Sequence, residues 1–457
     1  MVVIVIGVSI LILFTQSYSL IYLLGVPVLV ISIWNYSVNW FLLLLALNFA
    51  ATRTPWMLEY ANDGRWAMMF LLGVKFILPM IDRGKQIGIS GIQIGFGAFC
   101  TLAILSAADA EPFQISLYRS ISLWFMYFAV FVSLWRYLDS REKVEKFIRI
   151  FVYVCAGMVF AGHIARMLIG PEKFEILGRF KGYYLNPNTL GLAMTLQIPF
   201  SFWLVNSKRY SKGFFKQLHW VIFGVSLYSL VISGSRAAIA GGLIGMLVYL
   251  SLRYGSRMLI LAAIFATFVG ATYGIFKEVI ESKFFQEVVY RKETLPEGSG
   301  RLDIWKEALK LSRKRPILGW GFGTSEKAMW AGGELTKLKS DIPYGVHTHN
   351  SFLRLLVELG WLGTSFGIFF VFSVLRRMGK LLQKIPSEEL YSLVILMIAG
   401  IISGIVDSLF ESWALSAGCV LAVPFWTTVM LIYRMDYRVK DFLEEKDTPR
   451  KVGSVYG

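Results

Sequence analysis

The sequence predicts an all-α polytopic membrane protein with about 12 to 14 transmembrane helices and one large loop outside the membrane that itself contains helices. Three observations lead there. Hydrophobic residues make up 56% of the 457 residues and charged residues only 17%, whereas a soluble domain carries charge on about a quarter of its length. The mean hydropathy is +0.59. Apolar runs long enough to cross a bilayer recur from end to end. They are continuous rather than alternating, and lipid admits only helices or closed barrels, so they read as helices.

In chain order the candidate spans fall at about 2–16, 18–34, 37–51, 65–82, 88–107, 118–135, 147–169, 187–206, 218–234, 236–253, 257–276, 350–375, 390–408 and 413–433. The first lacks a basic leader and a small-residue cleavage site, so it reads as a span rather than a cleaved signal. Cys100, Cys155 and Cys419 all sit inside apolar runs and read as packing residues, with no disulfide framework or metal spacing among them. Lys75 lies within a candidate span and receives no role. The chain divides into an N-terminal transmembrane bundle (1–276), a loop (277–349), C-terminal transmembrane helices (350–433) and a tail (434–457).

The loops assign sides. One set is basic: Arg83/Lys85, Arg136/Arg141/Lys143/Lys146, Lys208/Arg209/Lys212/Lys216, Arg253/Arg257, Arg376/Arg377/Lys380/Lys384, and the tail with Arg434, Arg438 and Lys440. The alternate set is poor in Lys and Arg, and Ser106–Ser116 and Leu409–Ser412 have none. The positive-inside rule makes the basic set and both termini cytoplasmic, so Lys277–Val346 lies outside, with Thr52–Arg65, Gly170–Asn186 and the Ser233–Arg236 turn. The net charge of +16 follows these flanks and gives no reason to expect nucleic acid.

Four outward segments stand out, the third followed by a Gly-rich stretch. Gly178-Arg179-Phe180-Lys181-Gly182 leads into Leu185-Asn186-Pro187-Asn188, and Ser233-Gly234-Ser235-Arg236 joins two spans with almost no loop. Ser299-Gly300-Arg301-Leu302-Asp303-Ile304-Trp305 opens an amphipathic helix over Leu302–Ser312. Gly319-Trp320-Gly321-Phe322-Gly323 lacks the Lys and the strand context of a phosphate loop and reads as a turn. Last comes His347-Thr348-His349-Asn350, with Asn350 or Thr348 as an N-cap for the next span.

Three Arg and a His on one membrane face suit an anionic substrate. The guanidinium fork matches phosphate oxygens, and a neutral imidazole serves as a general base. No acidic or His cluster suggests a metal, so a metal-independent, cofactor-free reaction on a lipid-linked phosphate is the natural reading.

These pieces, in this order, resemble the O-antigen ligase and polymerase superfamily, bacterial membrane glycosyltransferases that use undecaprenyl-diphosphate-linked glycans. The resemblance runs from about Gly178 to Gly363. Besides the segments above it includes Pro316-Ile317-Leu318-Gly319-Trp320-Gly321, His349-Asn350-Ser351-Phe352-Leu353 and Glu358-Leu359-Gly360-Trp361-Leu362-Gly363. It implies that Arg236 and Arg301 hold the donor diphosphate. His349 is then the general base of an inverting transfer, with His347 the competing candidate and Arg179, His347 and Asn350 near donor or acceptor.

The implied place is the periplasmic face of the inner membrane. The implied acceptor is lipid A-core for a ligase, or a second lipid-linked glycan for a polymerase. The long loop would be a lid. Its Lys306, Lys310, Arg313, Lys314 and Arg315 would attract lipid head groups or an anionic acceptor, which favours ligation. A transporter or flippase of lipid-linked glycans is the rival from another class. It predicts internal repeats and charges at the midplane, neither of which the sequence has.

Overall fold

The computed structural model describes residues 30–52, 55–75, 88–255, 257, 258, 260, 301–331 and 347–444. The candidate spans at 2–16 and, almost entirely, at 18–34 and 257–276 lie outside the described residues, as do 277–300 and 332–346 of the long loop. The lid expectation therefore falls mostly outside them.

The described residues form α1 (Tyr36–Ala50), α2 (Pro55–Val74), α3 (Gly91–Leu105), α4 (Phe113–Tyr137), α5 (Arg141–Ile169), α6 (Pro187–Asn206), α7 (Phe214–Ser233) and α8 (Arg236–Tyr254). After the loop come α9 (Arg301–Lys314), α10 (Ser325–Ala331), α11 (Ser351–Lys384), α12 (Glu388–Ser408) and α13 (Ala422–Tyr437). The one described sheet is a hairpin between α5 and α6, β1 (Glu175–Ile176) with β2 (Arg179–Phe180). Among the described residues seven helices are long and apolar enough to cross a membrane: α3 with its 3-10 extension to Asp109, α4, α5, α7, α8, α11 and α12. The protein is an all-α, multi-pass membrane protein.

Several boundaries move. α6 begins at Pro187 and α8 at Arg236, as expected. α2 starts at Pro55 rather than near 65, so most of the expected outside stretch Thr52–Arg65 is helical. Lys75 consequently stands at the end of α2, buried, with its ammonium 4.7 Å from the centre of the Tyr36 ring. The last helix starts at Ala422, not near 413, and the residues before it form turns with Trp413, Ala417 and Val420 buried. Protein surrounds this irregular backbone, which is what makes it tolerable in an apolar protein.

Two features position the outward ends. α8 packs along α12 at close range, because a Cβ on Gly241 would come within 2.7 Å of the Ser403 carbonyl, while the Ser403 hydroxyl donates to Gly241 O at 2.8 Å. Small residues on facing helices permit this approach. α11 is broken at Gly360, which takes φ +60° and ψ −157° inside an otherwise helical run.

The turn Pro316–Gly321 repairs the break. Trp320 N donates to Val357 O at 2.9 Å and Gly321 N to Glu358 O at 2.9 Å. In return Trp361 N donates to Pro316 O at 2.7 Å and Leu362 N to Ile317 O at 3.3 Å. The groups freed by the break are thereby satisfied, as buried backbone requires. The Gly-rich run is indeed a turn. Its task is to seal the break in α11.

A Cβ at Gly360 would lie 2.5 Å from the Ile317 carbonyl. Gly360→Ala is therefore expected to destabilise the protein by about 3 kcal/mol or more, since backbone strain and overlap act together. Thermal unfolding in detergent checks this, and an unchanged midpoint would show that the turn yields.

Candidate active site

Ends of α6, α9, α11 and α12 converge on one carboxylate, Glu411, in the turn after α12. Its Oε1 accepts from Arg301 Nη2 at 2.7 Å and from Asn188 Nδ2 at 2.9 Å. Its Oε2 lies 3.1 Å from His349 Nδ1. The Glu411 side chain is only 17% exposed. Burial works to raise its carboxyl, but the hydrogen bonds and positive charge supplied by His349 and Arg301 outweigh it and hold the group below its usual value. The carboxylate is therefore ionised at neutral pH and can only accept hydrogen bonds. Nδ1 of His349 is therefore the donor in this pair, and in the neutral imidazole the lone pair is then on Nε2.

Each partner is placed by its own element. Arg301 is the first described residue of α9, where the helix dipole disfavours a cation, so its position is explained by Glu411 rather than by the helix. Arg236 opens α8 after the left-handed Gly234 and the N-cap Ser235. The Arg236 and Arg301 guanidinium groups lie close enough for their like charges to act on each other. Such a pair is stabilised by an anion between them.

Arg179 is buried on β2. Its Nε donates to Ser233 O at 2.7 Å and its Nη2 to Asn188 Oδ1 at 2.7 Å. It thereby fixes both the turn before Arg236 and the Asn188 amide that holds Glu411.

His349 has φ +45°, which is unusual for a residue with a side chain. Flanking bonds impose it. Trp305 Nε1 donates to Thr348 O at 2.9 Å, Asn350 N donates to Ser412 Oγ at 2.9 Å, and the Thr348 and Ser412 hydroxyls lie 2.8 Å apart. Asn350 is the N-cap of α11, with its Oδ1 2.9 Å from both Phe352 N and Leu353 N. Of the two candidate caps, it is Asn350 that caps. Strain of this kind costs of order 1–3 kcal/mol and persists only where neighbours over-determine it.

His347 points elsewhere. Its Nδ1 lies 3.1 Å from Glu326 Oε1 on α10, and its side chain is mostly exposed. The bond from His347, aided by Arg119 and Arg354 and opposed by burial, pulls the Glu326 carboxyl down to about 2. A depressed carboxylate stabilises the fold above its unfolded value near 4.3 and loses that contribution as pH falls toward about 2.

The expected site residues thus divide. Arg301 and His349 share Glu411, Arg236 lies near Arg301, Arg179 and Asn350 act as supports, and His347 turns to Glu326. Glu411 itself was missed. It sits in the Leu409–Ser412 turn, which sequence reasoning used only for its lack of Lys and Arg. The available signal was a carboxylate on the same face as three Arg and a His.

Arg354 was also missed. It donates to Glu358 Oε1 at 2.8 Å, Ser412 O at 3.0 Å and Ser416 Oγ at 2.7 Å, tying α11 to the turns that carry Glu411. Asp407, buried one helical turn before Glu411, is the third.

The basic surface of α9 is partly matched. Lys306 and Lys310 each lie 3.6 Å from an acidic group of the same helix, Asp303 and Glu307. Arg315 donates to Asp109 O at 2.9 Å and stacks over Trp320. Exposed pairs of this kind are weak, so the face remains cationic.

Fold and site together define a multi-pass membrane protein that gathers guanidinium, imidazole and carboxylate groups at the ends of its helices. Residues 221–368 match the family model described as O-antigen ligase, a stretch that includes Arg236, Arg301 and His349. Three relatives carry the name "Putative polysaccharide ligase". The one from Rickettsia conorii is 23% identical over 367 residues, covering 78% of this chain and 84% of that protein. The Rickettsia bellii protein is 22% identical over 299 residues (63% and 68%), and the Rickettsia typhi protein 25% over 225 residues (48% and 54%). The chain is thus similar to O-antigen ligases over residues 221–368 and, at low identity, to these polysaccharide ligases.

Proposed function

We propose that this protein is an inverting, metal-independent glycosyltransferase. It moves a glycan from undecaprenyl diphosphate to a sugar hydroxyl of lipid A-core, at the periplasmic face of the bacterial inner membrane. Both termini are then cytoplasmic, and residues 277–349 form the periplasmic loop between the two transmembrane parts, 1–276 and 350–433, with 434–457 as a cytoplasmic tail.

One observation carries the reading. A single ionised carboxylate, Glu411, joins Arg301 to His349, so a diphosphate-binding group and a base with a free Nε2 share one site. Arg236 and Arg301 hold the diphosphate. His349 Nε2 takes the proton of the acceptor hydroxyl as its oxygen attacks the anomeric carbon. The bond from that carbon to the phosphate oxygen breaks with inversion. The electron pair leaves on undecaprenyl diphosphate, whose charge the two guanidinium groups stabilise. The ionised Glu411 balances the imidazolium that forms.

Glu411→Gln should therefore lower kcat by about 100-fold or more, within the range that a general base contributes, with donor affinity changed far less. The amide keeps the shape but loses the charge. Unchanged kcat would remove Glu411 from the mechanism. The stability difference between the two proteins should shrink as the pH falls below about 4.3, because the carboxylate of the unfolded chain is protonated there before the native one.

The reaction itself is tested with purified protein, a lipid-linked oligosaccharide and lipid A-core in the presence of EDTA. Transfer to the core is expected, and inhibition by the chelator contradicts the metal-free step. Transfer only onto a second lipid-linked repeat would make the protein a polymerase. Movement of the donor across a bilayer without transfer would make it a flippase. Intact spheroplasts should modify an impermeant acceptor, and modification only after lysis would reverse the orientation.

A further inference from the structure

We infer that the β1–β2 hairpin is a membrane-interface anchor that inserts the side chain of Leu177 into the outward lipid leaflet, an inference independent of the transfer reaction. The register of Ile176 with Arg179 leaves Leu177-Gly178 as a two-residue turn. Both residues have positive φ, +51° and +70°, as in the type I′ turns that favour Asn-Gly. A leucine at the first of them is disfavoured, because its Cβ crowds the backbone there. No packing within the protein offsets this. Leu177 is 88% exposed, and a Cβ on Gly178 would meet nothing within 4 Å. The tip projects clear of the chain, so the partner of this leucine lies outside it.

The neighbouring surface identifies that partner. At the outward end of α5, Ile164, Met167 and Leu168 are spaced at i, i+3 and i+4 and form an exposed apolar stripe, with Met167 86% exposed. Ile169 ends the helix and is exposed as well. α5 is one of the helices long and apolar enough to cross a membrane. From Ile150, just after the last basic residue of its inner end, Arg149, to Ile169 it runs about 30 Å, the thickness of the hydrocarbon core. The stripe is therefore the outer edge of a lipid-facing surface, and the hairpin begins where that edge ends. Tyr228 and Val231, exposed near the outward end of α7, extend the patch.

The hairpin is fastened to this surface. Glu175 on β1 pairs with Arg166 of α5. The Phe180 ring stacks on His163 of α5, with centroids 4.2 Å apart and planes at 17°. His163 Nε2 in turn lies 2.8 Å from the Ser229 hydroxyl of α7. Glu172 and Lys173, both exposed in the turn before β1, balance each other, so apolar contact rather than charge decides what covers the tip. Lipid already covers the stripe that adjoins it, which makes the acyl region of the same leaflet the occupant. The anchor bears on the site through the residue after the turn. Arg179 holds both Ser233 and the Asn188 amide that binds Glu411.

A spin label on Leu177→Cys tests the depth of the tip in liposomes of phosphatidylethanolamine and phosphatidylglycerol. Cys100 and Cys155 are buried, and Cys419→Ser removes the third thiol. Oxygen, which concentrates in hydrocarbon, should relax the label more strongly than a water-soluble nickel chelate does, as it should on Met167→Cys. Lys208→Cys, exposed in a basic loop, should show the reverse. A label at 177 relaxed mainly by nickel overturns the inference. So does a label shielded from both agents or broadened by a neighbouring spin, since protein would then cover the tip.

Leu177→Gly gives a second readout whose sign discriminates. Glycine suits φ +51°, so without a membrane role it should tighten the turn and slow amide exchange across 174–181. With the anchor lost, exchange there in liposomes should instead quicken about tenfold. Unchanged or slower exchange contradicts the anchor. Neither measurement uses a glycan donor, so their failure leaves the proposed transfer standing, and a failure of transfer leaves the anchor standing.

Discussion

His349→Ala is expected to abolish glycan transfer while the protein still binds its lipid-linked donor. In the proposed reaction the imidazole is the base, because its Nδ1 is held by Glu411 and its Nε2 is left to meet the acceptor. General-base catalysis contributes about 100- to 10,000-fold, so kcat should fall by that order. In the proposed mechanism donor binding rests on Arg236 and Arg301, so it should change little. Losing the positive φ of residue 349 offers no relief, since Ala is strained there too. The flanking bonds of Thr348 and Asn350 should hold the backbone. A fully active His349→Ala would exclude His349 as the base, and His347, which faces Glu326, would then have to be tested.

Arg301→Ala is expected to lower kcat/KM by roughly 100- to 1,000-fold, the loss typical of removing one donor to a developing anion. Unlike His349→Ala, it should weaken donor binding as well as catalysis, because the diphosphate is bound in the ground state and more tightly as it departs. Arg301→Lys should recover only part of the loss. An ammonium keeps the charge but not the fork that can serve Glu411 and a phosphate oxygen together. Full recovery by Lys would mean that charge alone suffices. Measuring kcat/KM and donor affinity on the same preparations separates these outcomes.

Much of the architecture was legible because periodicity and charge are local. α6 and α8 begin where Pro187 and Arg236 indicated, and α9 begins at Arg301, one residue before the expected amphipathic helix. The last helix was misplaced because Trp413, Ala414, Leu415 and Ala417 read as lipid-facing. In the structure, turns carry these residues against other helices, and composition does not distinguish a protein surround from a lipid one. Arg236, Arg301 and His349 were visible as unusual residues on one face.

Their common partner was not visible. The bond from Arg301 to Glu411 spans 110 positions and that from His349 spans 62, and no local pattern encodes such a pairing. The same holds for Gly319–Gly323. Its turn chemistry was readable, but its pairing with the break at Gly360 depends on contacts that only the fold creates.

The most direct measurement is a cryo-electron microscopy structure of the protein with undecaprenyl diphosphate bound. Phosphate oxygens should lie within hydrogen-bond distance of Arg236 and Arg301, with Glu411 still bonded to His349 and Nε2 open toward the phosphate. A diphosphate bound away from these two side chains, for instance on the basic face of α9, would contradict the site.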